Sequence, residues 1–287
     1  MTVEIEVVRA EPDILGECPC WRPQEQALYW IDAFAPAVRR LGPDGRVTSW
    51  PMPRVIGSFG FRRSGGLVAA LQDGFALVDL DAGTARTLVD PEPHRPDNVL
   101  NDGKCDRAGR FWCGSRDAAL TAPTGSLYRL DPDGSATRMD TGFIVSNGLA
   151  FSPDDRTLYF ADSRAETVFA YDFDLGDGRI SNRRTFFSTR DIEGRCDGAT
   201  VDSDGFYWCA LVHGGRIARI DPAGRIDRLI ELPVRHPTMC AFGGPALDVL
   251  YVTSSAMMAP PGAAQAGALF AIHGLGAQGL PEPAFAG

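Results

Sequence analysis

The chain has 287 residues, 44% of them hydrophobic, and a formal net charge of −9. That charge and the lack of a Lys/Arg cluster exclude a nucleic-acid footprint, and no stretch approaches the roughly 18 apolar residues of a membrane span. Glu4, Glu6 and Glu11 break the apolar core a secretory signal needs, and the seven cysteines are odd in number and scattered, unlike a disulfide framework, so a reduced, cytoplasmic protein is expected.

Short aromatic and β-branched runs recur along the chain. In order they are residues 27–32 (ALYWID), 66–71 (GLVAAL), 109–114 (GRFWCG), 157–162 (TLYFAD), 205–210 (GFYWCA) and 249–253 (VLYVT). Successive starts lie roughly 40 to 50 residues apart, the period of a four-stranded propeller blade. Most runs follow a turn rich in Asp, Ser, Pro or Gly, such as residues 152–155 (SPDD) or 202–205 (DSDG). Each is followed by further strand-like residues and a second turn, such as residues 42–45 (GPDG), 131–134 (DPDG) and 221–224 (DPAG). Turn chemistry of this kind between β-rich runs is a hairpin signal. In the final copy the matching turn, around residues 271–280, is degenerate. Helical periodicity is almost absent, and the rhythm does not break. The expectation is an all-β, six-bladed β-propeller, one domain over residues 1–287, with residues near Thr2 to Val8 completing the last blade.

Aligning the copies puts a chosen residue a few places ahead of the turn before each aromatic run. Glu17, Asp102, Asn147 and Asp197 take this register, with Gly57 and Thr238 in the other two copies. Blades radiate from a central channel, so innermost strands that begin at these residues would bring three carboxylates and an amide to one channel mouth. Asp or Asn before Gly is also an ordinary turn former, but Glu17 is not. Like charges crowded together are costly unless protonated or neutralised. A divalent cation resolves the conflict, and oxygen ligands suit a hard ion such as Ca²⁺, Mg²⁺ or Mn²⁺. Cys18 and Cys20 have no second Cys/His pair at zinc-ligand spacing and are expected to pack as small hydrophobes.

The segments 15–21 (LGECPCW), 101–104 (NDGK), 146–151 (SNGLAF) and 196–198 (CDG) resemble signatures of the senescence-marker-protein (regucalcin)/gluconolactonase/luciferin-regenerating-enzyme family. Residues 242–245 (FGGP) and 250–253 (LYVT) extend the resemblance over nearly the whole chain. It implies a six-bladed propeller, sugar-lactone hydrolysis in many members, and one divalent cation (Ca²⁺, Mg²⁺, Mn²⁺ or Zn²⁺) held at Glu17, Asn147 and Asp197. It also implies a contact to substrate or metal-bound water at Asn101, and a supporting role for Asp102 in place of direct ligation.

Two positions depart from the family pattern. Val99 stands where an Arg often precedes the matching Asn, and Arg116-Asp117-Ala118 lies near the place of a frequent Glu. Both departures concern substrate contacts. The loops that follow the second strands offer Asp73, Arg116, Asp117, Ser163, His213 and Ser254 as candidate contacts, and either Arg116 or His213 could replace the donor lost at Val99. Residues 257–262 (MMAPPG) read as a flexible loop over the last blade.

The expected chemistry is metal-assisted opening of a sugar lactone to the aldonic acid. The cation would polarise the carbonyl while Asp197, ligand and base together, takes a proton from the attacking water. The expected partner is a small-molecule sugar lactone, with no nucleic acid or membrane, and the protein is expected to be a monomer or weak homo-oligomer. Two alternatives stand beside it. One is the same site acting on a phosphotriester or aromatic lactone, and the other is a non-catalytic propeller binding module.

Overall fold

Frequent turns cut the chain into strands of five to ten residues, too short and too one-sided to persist except in packed sheets. The computed structural model describes residues 2–287, and these strands assemble into six four-stranded antiparallel sheets, with no helix among the described residues. The innermost strands are Gly16–Arg22, Ile56–Phe61, Asn98–Cys105, Ser146–Phe151, Arg195–Val201 and Pro237–Gly243, one from each of blades one to six. They pack side by side around a central channel. The six-bladed propeller expected from the repeat is the architecture observed.

Blade six takes its outermost strand from the other end of the chain. Glu4–Arg9 pairs antiparallel with Leu269–His273, from Glu4 opposite His273 to Arg9 opposite Leu269. The degenerate final turn has its reason here, because no fourth strand follows Leu269–His273 in sequence.

All six innermost strands share a one-residue register slip near the channel mouth. It falls between Glu17 and Cys20, Ile56 and Ser58, Leu100 and Gly103, Asn147 and Ala150, Cys196 and Ala199, and Pro237 and Cys240. A bulge bends its strand and re-aims the side chains beside it. Two of the slips are held by left-handed residues, Cys18 (φ 50°) and Gly148 (φ 60°).

Between blades the core is aromatic. Trp30, Trp112 and Trp208, all fully buried in second strands, donate their indole N–H to Asp13, Asp106 and Asp202 at 2.8, 2.8 and 2.9 Å. Burying an indole with its N–H satisfied removes the main cost of placing Trp in a core. All seven cysteines are buried and free, as expected of small hydrophobes.

At the end of the channel opposite the bulges, the carboxy-terminal segment crosses the ring. Ser203 N donates to Gln278 O and Gly279 N to Leu247 O on one side, while Phe285 N donates to Phe61 O and Ala286 N to Gly109 O on the other. Midway, Glu282 pairs with Lys104 at 2.7 Å, both largely buried. Burial works against the charge on Lys104, but the Glu282 carboxylate outweighs it and raises the amine above the ordinary lysine range.

Candidate active site

The bulged ends of the innermost strands open into a cavity of about 230 Å³. Glu17, Asn101, Asn147 and Asp197 line its floor, from blades one, three, four and five. The two remaining blades contribute nothing charged there. A Cβ on Gly57 would stand 2.5 Å from Leu100 O, so blade two must carry glycine where its inner strand meets blade three. Thr238 is fully buried and donates its hydroxyl to Gly16 O, tying blade six to blade one.

A chain of hydrogen bonds orders the amides. Arg116 Nε donates to Asn101 Oδ1 at 3.1 Å, and Asn101 Nδ2 donates to Asn147 Oδ1 at 3.0 Å. Asn147 Nδ2 donates to Ser163 Oγ at 2.9 Å, which donates to Cys196 O at 2.6 Å. With its Nδ2 committed to Ser163, Asn147 keeps Oδ1 as its acceptor, holding one donor from Asn101. The carboxylates are not settled in this way. Burial first, then the charges of Asp197 and Asp102, push Glu17 well above the usual carboxylate range. Burial, then Asp102, does the same to Asp197, and only Arg116 opposes it. Among the described residues no donor is bonded to the Asp197 carboxylate.

Asp102 lies beneath this floor and not within it. Its Oδ2 accepts Leu149 N at 3.0 Å, joining blade three to blade four, and its buried Oδ1 has no hydrogen-bond partner among the described residues. Two crowded carboxylates, an amide oxygen and an unsatisfied acid below them form an all-oxygen donor set with excess negative charge, which fits a hard divalent cation. Among the described residues no three His, Cys, Asp or Glu side chains gather for a metal; here the third oxygen comes from an amide.

The loop candidates divide. Arg116, Ser163 and His213 line the cavity. His213 holds a left-handed backbone (φ 67°) and packs edge-on against His236, with ring centroids 5.0 Å apart. Asp117 serves its own loop instead. It accepts Ala119 N, Thr121 N and Ala122 N, and these backbone donors draw its carboxyl down to about 2. Asp32 and Asp162 also end second strands and cap the following loops in the same manner. That shared register, visible in the runs ALYWID and TLYFAD, marks Asp117 as a loop-former. Asp73 pairs with Arg54 at 2.7 Å on the exposed surface, and Ser254 Oγ donates to Ala268 O. Neither reaches the site.

Sequence reasoning missed Arg195, Arg164 and Phe34, all of which line the cavity. For Arg195 a signal existed. It precedes Asp197 by two residues, as Val99 precedes Asn101. Across the strand pair Val99 faces Arg116, whereas Arg195 faces Val212, so blades three and five carry the same Arg/Val pair in opposite order.

Fold and site together define a propeller with a small-molecule cavity at one end of its channel. The chain belongs to the family described as SMP-30/Gluconolactonase/LRE-like region, which matches residues 15–256. It is 40% identical to the 6-deoxy-6-sulfogluconolactonase of Pseudomonas putida, over 89% of this chain and 88% of that protein. Regucalcin of Xenopus laevis is 36% identical over 100% of this chain and 99% of its own length. Among solved structures, a calcium-binding regucalcin from Agrobacterium tumefaciens strain C58 matches with a TM-score of 0.92 at 26% identity, covering 97% of this chain and 96% of the other.

Proposed function

We propose that this protein is a divalent-metal-dependent lactonase that opens a sugar lactone to the corresponding aldonic acid. The observation that carries the reading is the meeting of Glu17, Asn147 and Asp197 in one cavity, with no hydrogen-bond donor to Asp197 among the described residues and both carboxylates repelled by their neighbours. Lactonase-type relatives and a calcium-binding regucalcin support it. Glu17, Asn147 and Asp197 would hold the cation, which when bound supplies Lewis acidity at a carbonyl oxygen.

The protein's own groups do the rest. A carboxylate oxygen of Asp197 accepts the proton of the attacking water, help typically worth about 10² to 10⁴ in rate. Asn101 and Arg116 offer donors to the oxygen atoms of a ring held above the floor. Arg116 stands directly across the strand pair from Val99, so it occupies the neighbourhood of the guanidinium that position lacks. Phe34, Leu120, Met257 and Met258 form an apolar wall that keeps bulk water from the reacting centre.

The test is a panel of aldonolactones, aromatic lactones and phosphotriesters assayed with and without added divalent ions. Turnover of aldonolactones that chelation abolishes and a metal restores is the expected result. Replacing Asp197 with Ala should then lower kcat by at least about 10²-fold; retention of near-normal kcat, or chelator-resistant turnover, refutes the mechanism.

A further inference from the structure

In a protein of net charge −9, one cavity wall is cationic. Three guanidinium groups line the mouth, those of Arg116, Arg164 and Arg195. Arg116 is engaged with Asn101 and with Asp117 O. The other two are held less firmly. Arg164 is exposed and forms no ion pair or side-chain hydrogen bond among the described residues. Arg195 forms a long ion pair with Glu166, Nε to Oε1 at 3.7 Å, and among the described residues that Nε has no hydrogen-bond partner.

Both are anchored to the catalytic floor. Arg164 follows Ser163, the hydroxyl that links Asn147 to Cys196 O, and Arg195 sits two residues before Asp197 on the same strand. Their field extends along the wall. Burial, then His236, Arg195, Arg164 and Arg235, lower the His213 imidazole below its ordinary range, so that ring is a neutral partner among cations. Of the nearby carboxylates, Glu193 pairs with Arg235 at 2.9 Å, and Glu166 makes only a long ion pair with Arg195, at 3.7 Å, that an incoming oxyanion would have to displace. The opposite wall is apolar, with Phe34, Met257 and Met258. At about 230 Å³ the cavity is smaller than the roughly 300–1,000 Å³ of drug-sized sites, a size suited to one sugar ring.

We propose that Arg164 and Arg195 form an anion subsite that selects lactones bearing a second anionic group, a sulfonate, phosphate or carboxylate, remote from the ring ester. The inference rests on the lactonase reading and supplies its substrate class. Guanidinium groups are suited to such oxyanions because their fork presents paired donors at fixed charge. The rival use of this wall, holding the carboxylate released by ring opening, predicts the same benefit for neutral and anionic lactones.

The experiment compares kcat/KM for gluconolactone with that for the same lactone carrying a terminal sulfonate or phosphate, in wild type, R164Q, R195Q and the double variant. Wild type should favour the anionic lactones, with the advantage falling as ionic strength rises. In the double variant the anionic-to-neutral ratio of kcat/KM should collapse by about 10²-fold, mostly through KM, and R195K should restore part of it. An equal loss on both substrates, or a ratio that does not respond to the substitutions, overturns the subsite. Equilibrium binding of the ring-opened, sulfonated acid gives a second measurement. Saturable binding tighter than that of the unsulfonated acid, with the difference lost in R164Q/R195Q, supports the subsite even if no lactone is turned over, an outcome that would sink only the lactonase reading; equal binding of the two acids, or no binding to wild type, overturns the subsite.

Discussion

At the scale of single residues, the site trades stability for charge. Glu17 and Asp197 have folded-state carboxyls raised well above their ordinary values of 4.5 and 3.8. Between those values and the raised ones the folded chain holds protons that the unfolded chain has released. In the metal-free protein, the contribution of these two groups is therefore most favourable at low pH and declines as pH rises through the raised values. D197N removes one of the repelling charges. Turnover should vanish, yet the chelated variant should melt a few degrees above chelated wild type at neutral pH, each kcal/mol being worth about 2–4 °C. A variant that melts lower at neutral pH, in the presence of chelator, contradicts the charge argument. The nearness of Glu17, Asn147 and Asp197 was legible in the sequence because polar side chains recur at the start of the innermost strands, but a single register position was not what brought them together: Glu17 and Asn147 stand just before the slip and Asp197 is the first residue within it. Asp102 lies further along the strand, in the place Gly198 takes in blade five, and its carboxylate turns toward Leu149 N beneath the floor.

At the scale of strands and turns, carboxylates organise the blades. Asp202 accepts Asp204 N, Phe206 N, the Trp208 indole and both Arg219 Nε and Nη2, while fully buried. Removing it leaves the Trp208 indole donor unpaired and the Arg219 guanidinium with Asp227 as its remaining carboxylate. D202A is expected to cost about 3–5 kcal/mol, read as a lower denaturant midpoint with the denaturant slope unchanged. A loss under about 1 kcal/mol would mean the network is solvated enough to be dispensable. D117A should likewise disturb its loop before it disturbs chemistry. Its stabilising hydrogen bonds are present above the unfolded carboxyl value and are lost as pH falls through about 2, so at neutral pH the Ala variant should show lowered thermal stability with residual turnover. The strands themselves could be read from turn chemistry and aromatic runs. The six bulges could not, because the residues at the slips, from Pro19 to Asp102 to Gly198, have no composition in common.

At the scale of the molecule, the ring depends on one strand borrowed from the start of the chain. With Glu4–Arg9 gone, Leu269–His273 becomes an open edge of unpaired backbone groups. Deletion of residues 2–9 should give a protein that self-associates on gel filtration and loses its single sharp melting transition. A monodisperse, cooperatively melting product would show that the closure is dispensable. The ring was legible because a period of blade length repeats six times. Its closure was legible too, from a last copy short of one strand and a strand-like opening segment.

The carboxy-terminal strap gives the channel a direction. With Glu282 and Lys104 locked together where the carboxy-terminal segment crosses the far end, traffic through that end is obstructed. Whatever enters past Phe34 and Met257 must come back out the same way. Departing molecules and arriving ones then compete for a single doorway, and accumulated product should slow the enzyme by occupying its entrance.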